Sequence, residues 1–382
     1  MADFIFKISP NIVLGSYTTT RLGQLSESYG TKFMIITDPI LKESGTQEKI
    51  TQSLTERKID FFTFDDIPVV ADSQTVDKAL KLARDAHVHG IIAAGGAKTL
   101  NIAKAVASLY HEAHDLYSFI DGSRPTCAPL PLICVPTTIR DSFLFTDLAP
   151  IVDARSSKAK LIHTQNGLCR LALWDPNLEV TLTDKQQSSM NIEALCIATE
   201  AYLSQKSTFF SDMVVEKAVQ LLSYALDGSP TLTVTTPPEV LLAQGGCMAS
   251  LGSASSSLGA ASLLSLTINS RYKISRSLTS AILFPYIIED GAKYRLDKLA
   301  RLSRILRASQ ENSSDEEAVK ALSEYVRERI AKANLPARLK DLGVTIEQLS
   351  LAAEDAGELE LINTLSRSMT CDDLFDLIKQ AY

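Results

Sequence analysis

The sequence has little of what marks several common classes of protein. Acidic residues outnumber lysine and arginine, the net charge is −7, and no basic cluster is interleaved with aromatic residues, which argues against nucleic acid or an anionic membrane as the main partner. No apolar run approaches the ~18 residues of a membrane span, and no basic segment followed by an apolar core opens the chain as in a signal peptide. The six cysteines form no CxxC pair, which is typical of reduced thiols. These absences favour a cytoplasmic enzyme or binding protein.

The first half of the chain alternates short apolar runs with segments of helical spacing. Predicted strands and helices follow one another at 33–37, 47–57, 61–64, 73–87, 91–94, 99–111 and 132–135. We expect Ser73 to cap the second of these helices and Thr99 to open the third. This alternation predicts a parallel sheet with helices on both faces, and ligands at the carboxyl ends of its strands.

The second half has a different character. After Asp175-Pro176, helical periodicity dominates and strand signals are few. The predicted helical segments are 190–226, 237–266, 276–310, 314–334 and 346–357. The sequence therefore predicts an α/β Rossmann-like domain over residues 1–177 and an all-α domain over residues 178–382.

The stretch GIIAAGGAKTLNIAKAVA (90–107) is the most informative part of the sequence. A buried strand meets the Gly95-Gly96 pair, and a helix begins directly afterwards. Such a junction turns backbone N–H groups and the positive end of a helix toward a phosphate. A tight connection between strand and helix, without a ligand, is the alternative interpretation.

Five stretches match, in order, the motifs of one enzyme family. The chain resembles the iron-containing (group III) alcohol dehydrogenase superfamily, which includes glycerol dehydrogenase, maleylacetate reductase and the dehydroquinate synthases. GGAKTLNIAK resembles its GGGSxxDxAK motif, and PTTIRDSFL resembles its cofactor loop PTTxGTGSE. The matching stretches are ITDP at 36–39, GGAKTLNIAK at 95–104, PTTIRDSFL at 136–144, EALCIATEAY at 193–202 and SMTCDDLFDLIKQA at 368–381. The resemblance implies the dehydroquinate synthase-like fold, with the active site in the cleft between the domains, and by analogy a homodimer.

The resemblance also implies an NAD site. Asp38 would accept hydrogen bonds from the adenosine ribose, and its charge would favour NAD over NADP. The turn residues and the lysine that follows them would surround the pyrophosphate; they are Gly95, Gly96, Ala97 and Lys98. The family has a third glycine where this chain has Ala97.

A second part of the implied cofactor site lies further along the chain. Thr137 and Thr138 would offer hydroxyl groups to the phosphate and nicotinamide side of the cofactor. Lys160 occupies about the position of a family lysine near the nicotinamide, or else is a surface lysine. Arg140 replaces a family glycine, and its side chain would either crowd the cofactor or reach an anionic group.

The family's metal ligands are missing. Family dehydrogenases hold a divalent metal with one aspartate and two or three histidines, whereas none of the five histidines here lies beyond residue 163. By motif, Glu193 stands at the aspartate position, while Ile197, Ser262 and Arg276 stand at or near the histidine positions. One carboxylate without imidazole does not make a tight transition-metal site. We therefore expect no metal, and we expect Arg276 to bind a carboxylate or stabilise an oxyanion, with Glu193 as its partner or as a proton acceptor.

These observations predict an NAD(H)-dependent oxidoreductase that acts without a catalytic metal on a small alcohol or carbonyl compound. Arg276, Arg140 and Lys160 together favour a substrate with an anionic group. Two alternatives stay open. One is a family member that has lost catalysis and only binds a nucleotide. The other is a lyase or cyclase on the same fold. If Arg276 and Glu193 have no catalytic role, they would form a structural ion pair.

Overall fold

The computed structural model describes residues 10–229 and 235–382. Two compact units divide the chain, one ending at Thr181 and the other beginning at Leu182. The opening residues considered above for a signal peptide fall mostly outside the described part. Among the described residues, no helix is long and apolar enough to cross a membrane.

A six-stranded sheet with only parallel pairs forms the centre of the first unit. Its strands are β1 (Asn11–Leu14), β2 (Lys32–Thr37), β3 (Asp60–Phe64), β4 (Gly90–Gly95), β5 (Leu132–Pro136) and β8 (Cys169–Trp174), in the spatial order β1-β8-β5-β4-β2-β3. The central strands are buried throughout, because helices cover parallel sheets on both faces and every side chain then meets an apolar neighbour. The predicted strands at 33–37, 61–64, 91–94 and 132–135 all lie in this sheet.

Six α-helices and a second small sheet complete the described part of the first unit. The helices are α1 (Leu22–Ser26), α2 (Pro39–Glu43), α3 (Thr46–Glu56), α4 (Ser73–Asp85), α5 (Ala97–Leu109) and α6 (Leu116–Ile120). Strands β6 (Leu148–Asp153) and β7 (Lys158–His163) pair antiparallel. Two predicted helix starts were wrong. Asp72, not Ser73, caps α4 by accepting from the Thr75 N–H at 2.8 Å, and α5 begins at Ala97 rather than Thr99.

The second unit is built from nine α-helices among its described residues. They are α7 (Asp184–Leu203), α8 (Phe209–Asp227), α9 (Pro238–Ala254), α10 (Ala260–Tyr272), α11 (Arg276–Gly291), α12 (Leu296–Leu306), α13 (Asp315–Lys332), α14 (Ile346–Glu358) and α15 (Cys371–Ala381). Hydroxyl caps start several of them, and Thr183, Thr208 and Ser314 each form a capping box with the residue three positions on. The expected combination of a parallel α/β unit and a helical unit is confirmed.

Candidate cofactor and substrate sites

Four loops of the first unit leave the carboxyl edge of the parallel sheet side by side. Asp38 follows β2, the Gly95-Gly96 pair ends β4, Thr137 follows β5, and Asp175 follows β8. The chain leaves β2 for the neighbouring edge strand β3, whereas it leaves β4 for β5 on the opposite side. The carboxyl ends of β2 and β4 therefore flank a topological switch point, where open α/β sheets bind their ligands.

Asp38 and the glycine turn are in direct contact across this switch point. The Gly96 N–H donates to Asp38 Oδ2 at 2.9 Å, and Lys98 Nζ lies 3.1 Å from Asp38 Oδ1. Lys98 also donates to the Pro68 carbonyl at 3.3 Å. Lys98, which the resemblance assigns to the pyrophosphate, therefore forms an ion pair with Asp38, which the resemblance assigns to the ribose. Both carboxylate oxygens of Asp38 are engaged, so its side chain is held in a fixed position.

The glycine turn leaves the start of α5 open. A Cβ on Gly95 would lie 2.4 Å from Asp38 Oδ2 and 2.9 Å from Thr99 Cβ, so only glycine fits there. A Cβ on Gly96 would meet Thr138 Cγ2 at 3.7 Å and Asp38 Oδ2 at 3.9 Å, which are ordinary contacts. Gly96 is the N-cap of α5 and, being glycine, brings no capping side chain. The first N–H groups of α5 and its positive end therefore suit a phosphate, so these residues fit a dinucleotide.

The second loop is fixed by hydrogen bonds at its start. The Thr137 N–H donates to the Gly95 carbonyl at 3.1 Å, and the Trp174 indole N–H donates to the Thr138 carbonyl at 3.0 Å. The Thr138 hydroxyl donates to the carbonyl of Arg140 at 3.0 Å and lies 3.3 Å from its Nη1. Arg140 is only 7% exposed. Its side chain is therefore an internal part of the loop and contacts Thr138 directly.

Lys160 belongs to the second, two-stranded sheet of the first unit. It is a half-buried residue of β7, paired with Ile151 on β6. Within the described ranges, no hydrogen bond or ion pair joins its ammonium to the residues at the switch point. The structure thus brings Asp38, Gly96 and Lys98 into contact and ties Thr137 to Gly95, whereas the role of Lys160 stays a prediction.

In the helical unit, α7 and α11 carry the two candidate catalytic residues. The hydroxyls of Ser189 and Ser277 lie 2.9 Å apart, which holds the turn of α7 before Glu193 against the first turn of α11. Glu193 is buried, and Arg276 is the first residue of α11. A cation at this end of a helix faces the positive end of the dipole, which disfavours it by roughly 0.3–1 kcal/mol. Helix stability alone therefore does not account for arginine at this position.

The residues at the family's metal positions do not fit a transition metal. Ile197 is a buried apolar residue of α7, and the Ser262 hydroxyl donates to Glu200 Oε2 at 2.6 Å. The described part of the chain contains no group of three histidine, cysteine or acidic side chains arranged to hold a metal ion. With Arg276 at the remaining position, the donor set is one carboxylate, one hydroxyl and one cation. Iron and zinc need several imidazole, thiolate or carboxylate ligands instead.

Glu200 is a buried residue to which the sequence interpretation gave no role. Its carboxylate accepts from the N–H groups of Gly259, Ala261 and Ser262 at 3.2, 2.7 and 3.3 Å, in addition to the Ser262 hydroxyl. It thereby caps the start of α10, while its burial raises its pKa to about 7. The available signal was the match of EALCIATEAY to the family helix, which contains this glutamate. Lys104, the last residue of GGAKTLNIAK, was missed in the same way.

The chain matches two sequence models that together cover most of its length. Residues 9–176 match the model described as iron-containing alcohol dehydrogenase. Residues 188–382 match the model described as Fe-containing alcohol dehydrogenase family, C-terminal.

Individual relatives and solved structures agree with this match. The chain is 25% identical over 378 residues to the probable alcohol dehydrogenase EutG of Escherichia coli, covering 98% of this chain and 94% of the relative. It is 23% identical to the lactaldehyde reductase of the same organism, covering 92% of each. The fold matches 1,3-propanediol oxidoreductase with a TM-score of 0.91, at 19% identity and 100% coverage of both chains. Sulfoacetaldehyde reductase from Bifidobacterium kashiwanohense, solved in complex with NAD+, matches with a TM-score of 0.83 at 16% identity, over 100% of this chain and 99% of the other.

Proposed function

This chain belongs to the iron-containing alcohol dehydrogenase family and is an alcohol dehydrogenase-like oxidoreductase, and we propose that it uses NAD(H) without a catalytic metal. The proposed substrate is a small alcohol or carbonyl compound that bears an anionic group. The observation that carries the proposal is the open N-terminus of α5, held next to the Asp38 carboxylate at the switch point of the sheet.

The cofactor part of the proposal follows from the groups that surround this helix start. The N–H groups after Gly96 bind the pyrophosphate, with Lys98 adding a positive charge. Asp38 accepts the adenosine ribose hydroxyls, and its carboxylate repels the 2′-phosphate of NADP. When bound, the nicotinamide supplies or accepts the hydride.

The substrate part rests on charged side chains. During reduction, negative charge develops on the carbonyl oxygen, and the Arg276 guanidinium stabilises it through hydrogen bonds from its planar fork. Glu193 balances the charge of Arg276 and fixes the direction of its guanidinium, and a proton from water completes the alcohol. Arg140 and Lys160 supply positive charge for the anionic group of the substrate.

Metal independence is supported by the donor set at the family's metal positions. In other dehydrogenases of this kind a cation polarises the substrate oxygen and stabilises the alkoxide. Here Ile197 and Ser262 stand where the metal would require imidazoles, and the Ser262 hydroxyl donates a hydrogen bond to Glu200. The permanent charge of Arg276 replaces the charge of the metal in our proposal.

A second candidate function is nucleotide binding without turnover. The altered second loop favours it, because Arg140 stands where the family has a glycine and its buried side chain contacts Thr138. Turnover of NADH with any member of a panel of aldehydes and keto acids excludes this candidate. Binding of NADH without turnover on the whole panel supports it.

We also propose that the chain is a homodimer of the cytoplasm. All six cysteines are free thiols, in agreement with a reducing compartment. Size-exclusion chromatography with light scattering tests the oligomeric state.

Asp38 provides the test of the cofactor proposal. Binding of NADH or NADPH changes the fluorescence of the protein or of the cofactor. The dissociation constants of the two cofactors are therefore measured by fluorescence titration under the same conditions. We expect the wild type to prefer NADH, and Asp38→Ser to move the ratio of the two affinities toward NADPH by about tenfold or more, because the carboxylate that repels the 2′-phosphate is gone.

Asp60→Ser is the matched control, since Asp60 is an exposed aspartate at the start of β3. It is expected to leave the ratio unchanged. A wild-type protein that binds neither NADH nor NADPH contradicts the proposed function. An unchanged ratio in Asp38→Ser contradicts the role of that carboxylate alone.

A further inference from the structure

Lys104 is a lysine of α5 whose side chain is almost completely buried. It is 1% exposed, although it belongs to the helix that starts at the glycine turn. Its ammonium donates to the carbonyls of Phe143 at 2.6 Å, Thr146 at 2.9 Å and Leu148 at 2.7 Å. A lysine ammonium has three N–H donors, so these three carbonyls satisfy it completely.

The three carbonyls belong to one short segment, which follows the Thr137-Thr138 pair. The start of the loop is held from elsewhere, by the Gly95 carbonyl and the Trp174 indole. The end of the loop is held by Lys104. The ammonium therefore connects the helix of the glycine turn with the second loop of the proposed cofactor site.

Several titratable groups surround this ammonium. The carboxylates of Asp141 and Asp147 and the thiols of Cys134 and Cys169 act on it electrostatically. A hydrogen bond with Cys169, together with burial, raises the pKa of the Cys134 thiol, so this thiol stays neutral. Burial lowers the pKa of Lys104 itself from 10.5 to about 8, against the opposing effect of Asp141.

We propose that Lys104 is a positioning residue that holds the loop from Phe143 to Leu148 in the conformation that binds NAD(H), and that loss of its proton releases this loop. This inference rests on the proposed function. A neutral amine has only two N–H donors, so one of the three carbonyls loses its partner on deprotonation. A buried carbonyl without a partner is unfavourable, so the loop rearranges to let this carbonyl reach water, while the cost of burying the ammonium is relieved.

The proposal gives two opposite pH dependences for the wild type. The affinity for NADH falls as the pH rises through about 8, the pKa of Lys104 in the folded protein. Between pH 8 and 10.5 the unfolded chain binds more protons at Lys104 than the folded one does, so this residue's contribution to the free energy of unfolding increases over the same range. A residue with a purely structural role would not weaken NADH binding while its contribution to stability increases.

Lys104→Met tests the assignment by removing the ammonium while keeping the length of the side chain. The dissociation constant for NADH is measured by fluorescence titration from pH 6.5 to 9.5. We expect it to rise by about tenfold or more at pH 7, because all three charge-assisted hydrogen bonds of the ammonium are lost, and to lose the inflection near pH 8. The KM for NADH follows the dissociation constant, and kcat with saturating NADH changes less than KM.

Lys81→Met is the control, because Lys81 is an exposed lysine of α4. It keeps the wild-type affinity and pH profile. Hydrogen exchange without cofactor is the second measurement, and amides in 143–148 are expected to exchange faster in Lys104→Met than in wild type. If that variant does not fold, the wild-type pH profile decides.

The outcomes separate the two proposals. A wild type that does not bind NADH overturns both. A wild type that binds NADH with no fall in affinity between pH 7 and 9.5, or a Lys104→Met protein with wild-type affinity and profile, overturns the role of Lys104 and leaves the proposed function intact.

Discussion

Arg276→Leu is expected to lower kcat/KM for reduction of an anionic carbonyl compound by about a hundredfold or more, while the dissociation constant for NADH stays within about twofold. Loss of one preorganised donor to a developing oxyanion costs about 10²–10³ in rate in enzymes that rely on such donors. In this protein the substitution also removes the positive charge that we propose to replace the metal. Steady-state kinetics and NADH titration on the same preparation measure both quantities.

Two further variants make this result specific. Arg276→Lys keeps the charge but not the planar fork, and we expect an intermediate loss because a single ammonium cannot bind a carboxylate or oxyanion in the same two-pronged way. Arg295→Leu removes an exposed arginine near the start of α12 and is expected to have wild-type kinetics. An Arg276→Leu enzyme with wild-type kcat/KM would contradict the assigned role.

Gly95→Ala and Gly96→Ala are expected to fail in different ways, although the glycines are adjacent. The new Cβ at position 95 would lie 2.4 Å from Asp38 Oδ2, and Asp38 is held by Gly96 and Lys98. Overpacking of this kind costs about 1–3 kcal/mol, so we expect a lower free energy of unfolding together with an NADH affinity reduced by more than about tenfold. Chemical denaturation and fluorescence titration measure the two effects.

Gly96→Ala is the matched comparison. Its Cβ would make only ordinary contacts at 3.7 and 3.9 Å, and the backbone at Gly96, with φ −83° and ψ −176°, suits alanine. We expect the free energy of unfolding to fall by about 1 kcal/mol or less, because alanine is a poorer N-cap than glycine. The methyl group nevertheless covers the approach to the N–H groups of α5, so NADH affinity still drops about tenfold or more. Equal NADH affinity in Gly96→Ala and wild type would show that no phosphate lies there.

The fold could be predicted from the sequence to the extent that local patterns determine it. The continuous apolar runs at 33–37 and 91–94 predict strands whose ends agree with β2 and β4 within about one residue. A strand buried on both faces has few polar positions, so its sequence is easily recognised. Strands β1, β6, β7 and β8 were missed. β1 has only four residues and pairs with β8, which is distant in the chain. The sequences of β6, β7 and β8 carry charged or proline residues among their apolar ones. The helical segment at 190–226 was predicted without its interruption, which lies between Leu203 and Phe209.

The residues of the candidate site were easier to predict than their contacts. Motif matching gave Asp38 and the glycine turn, but 58 residues separate Asp38 from Gly96, and only the parallel sheet brings them together. The ion pair between Lys98 and Asp38 is likewise not indicated by any local sequence pattern. The motifs contain Lys104 and Glu200 but do not show that their side chains are buried, because a side chain's burial depends on packing with elements that are distant in the chain.

Metal removal is the most direct test of the central claim that Arg276 replaces the catalytic metal. The purified protein is treated with a strong chelator, its metal content is measured by mass spectrometry, and its NADH-dependent reduction of a carbonyl substrate is compared before and after treatment. We predict an unchanged kcat with far less than one metal ion per chain, and no gain on addition of Fe²⁺ or Zn²⁺. Loss of turnover on chelation, with recovery when either ion is added back, would contradict it.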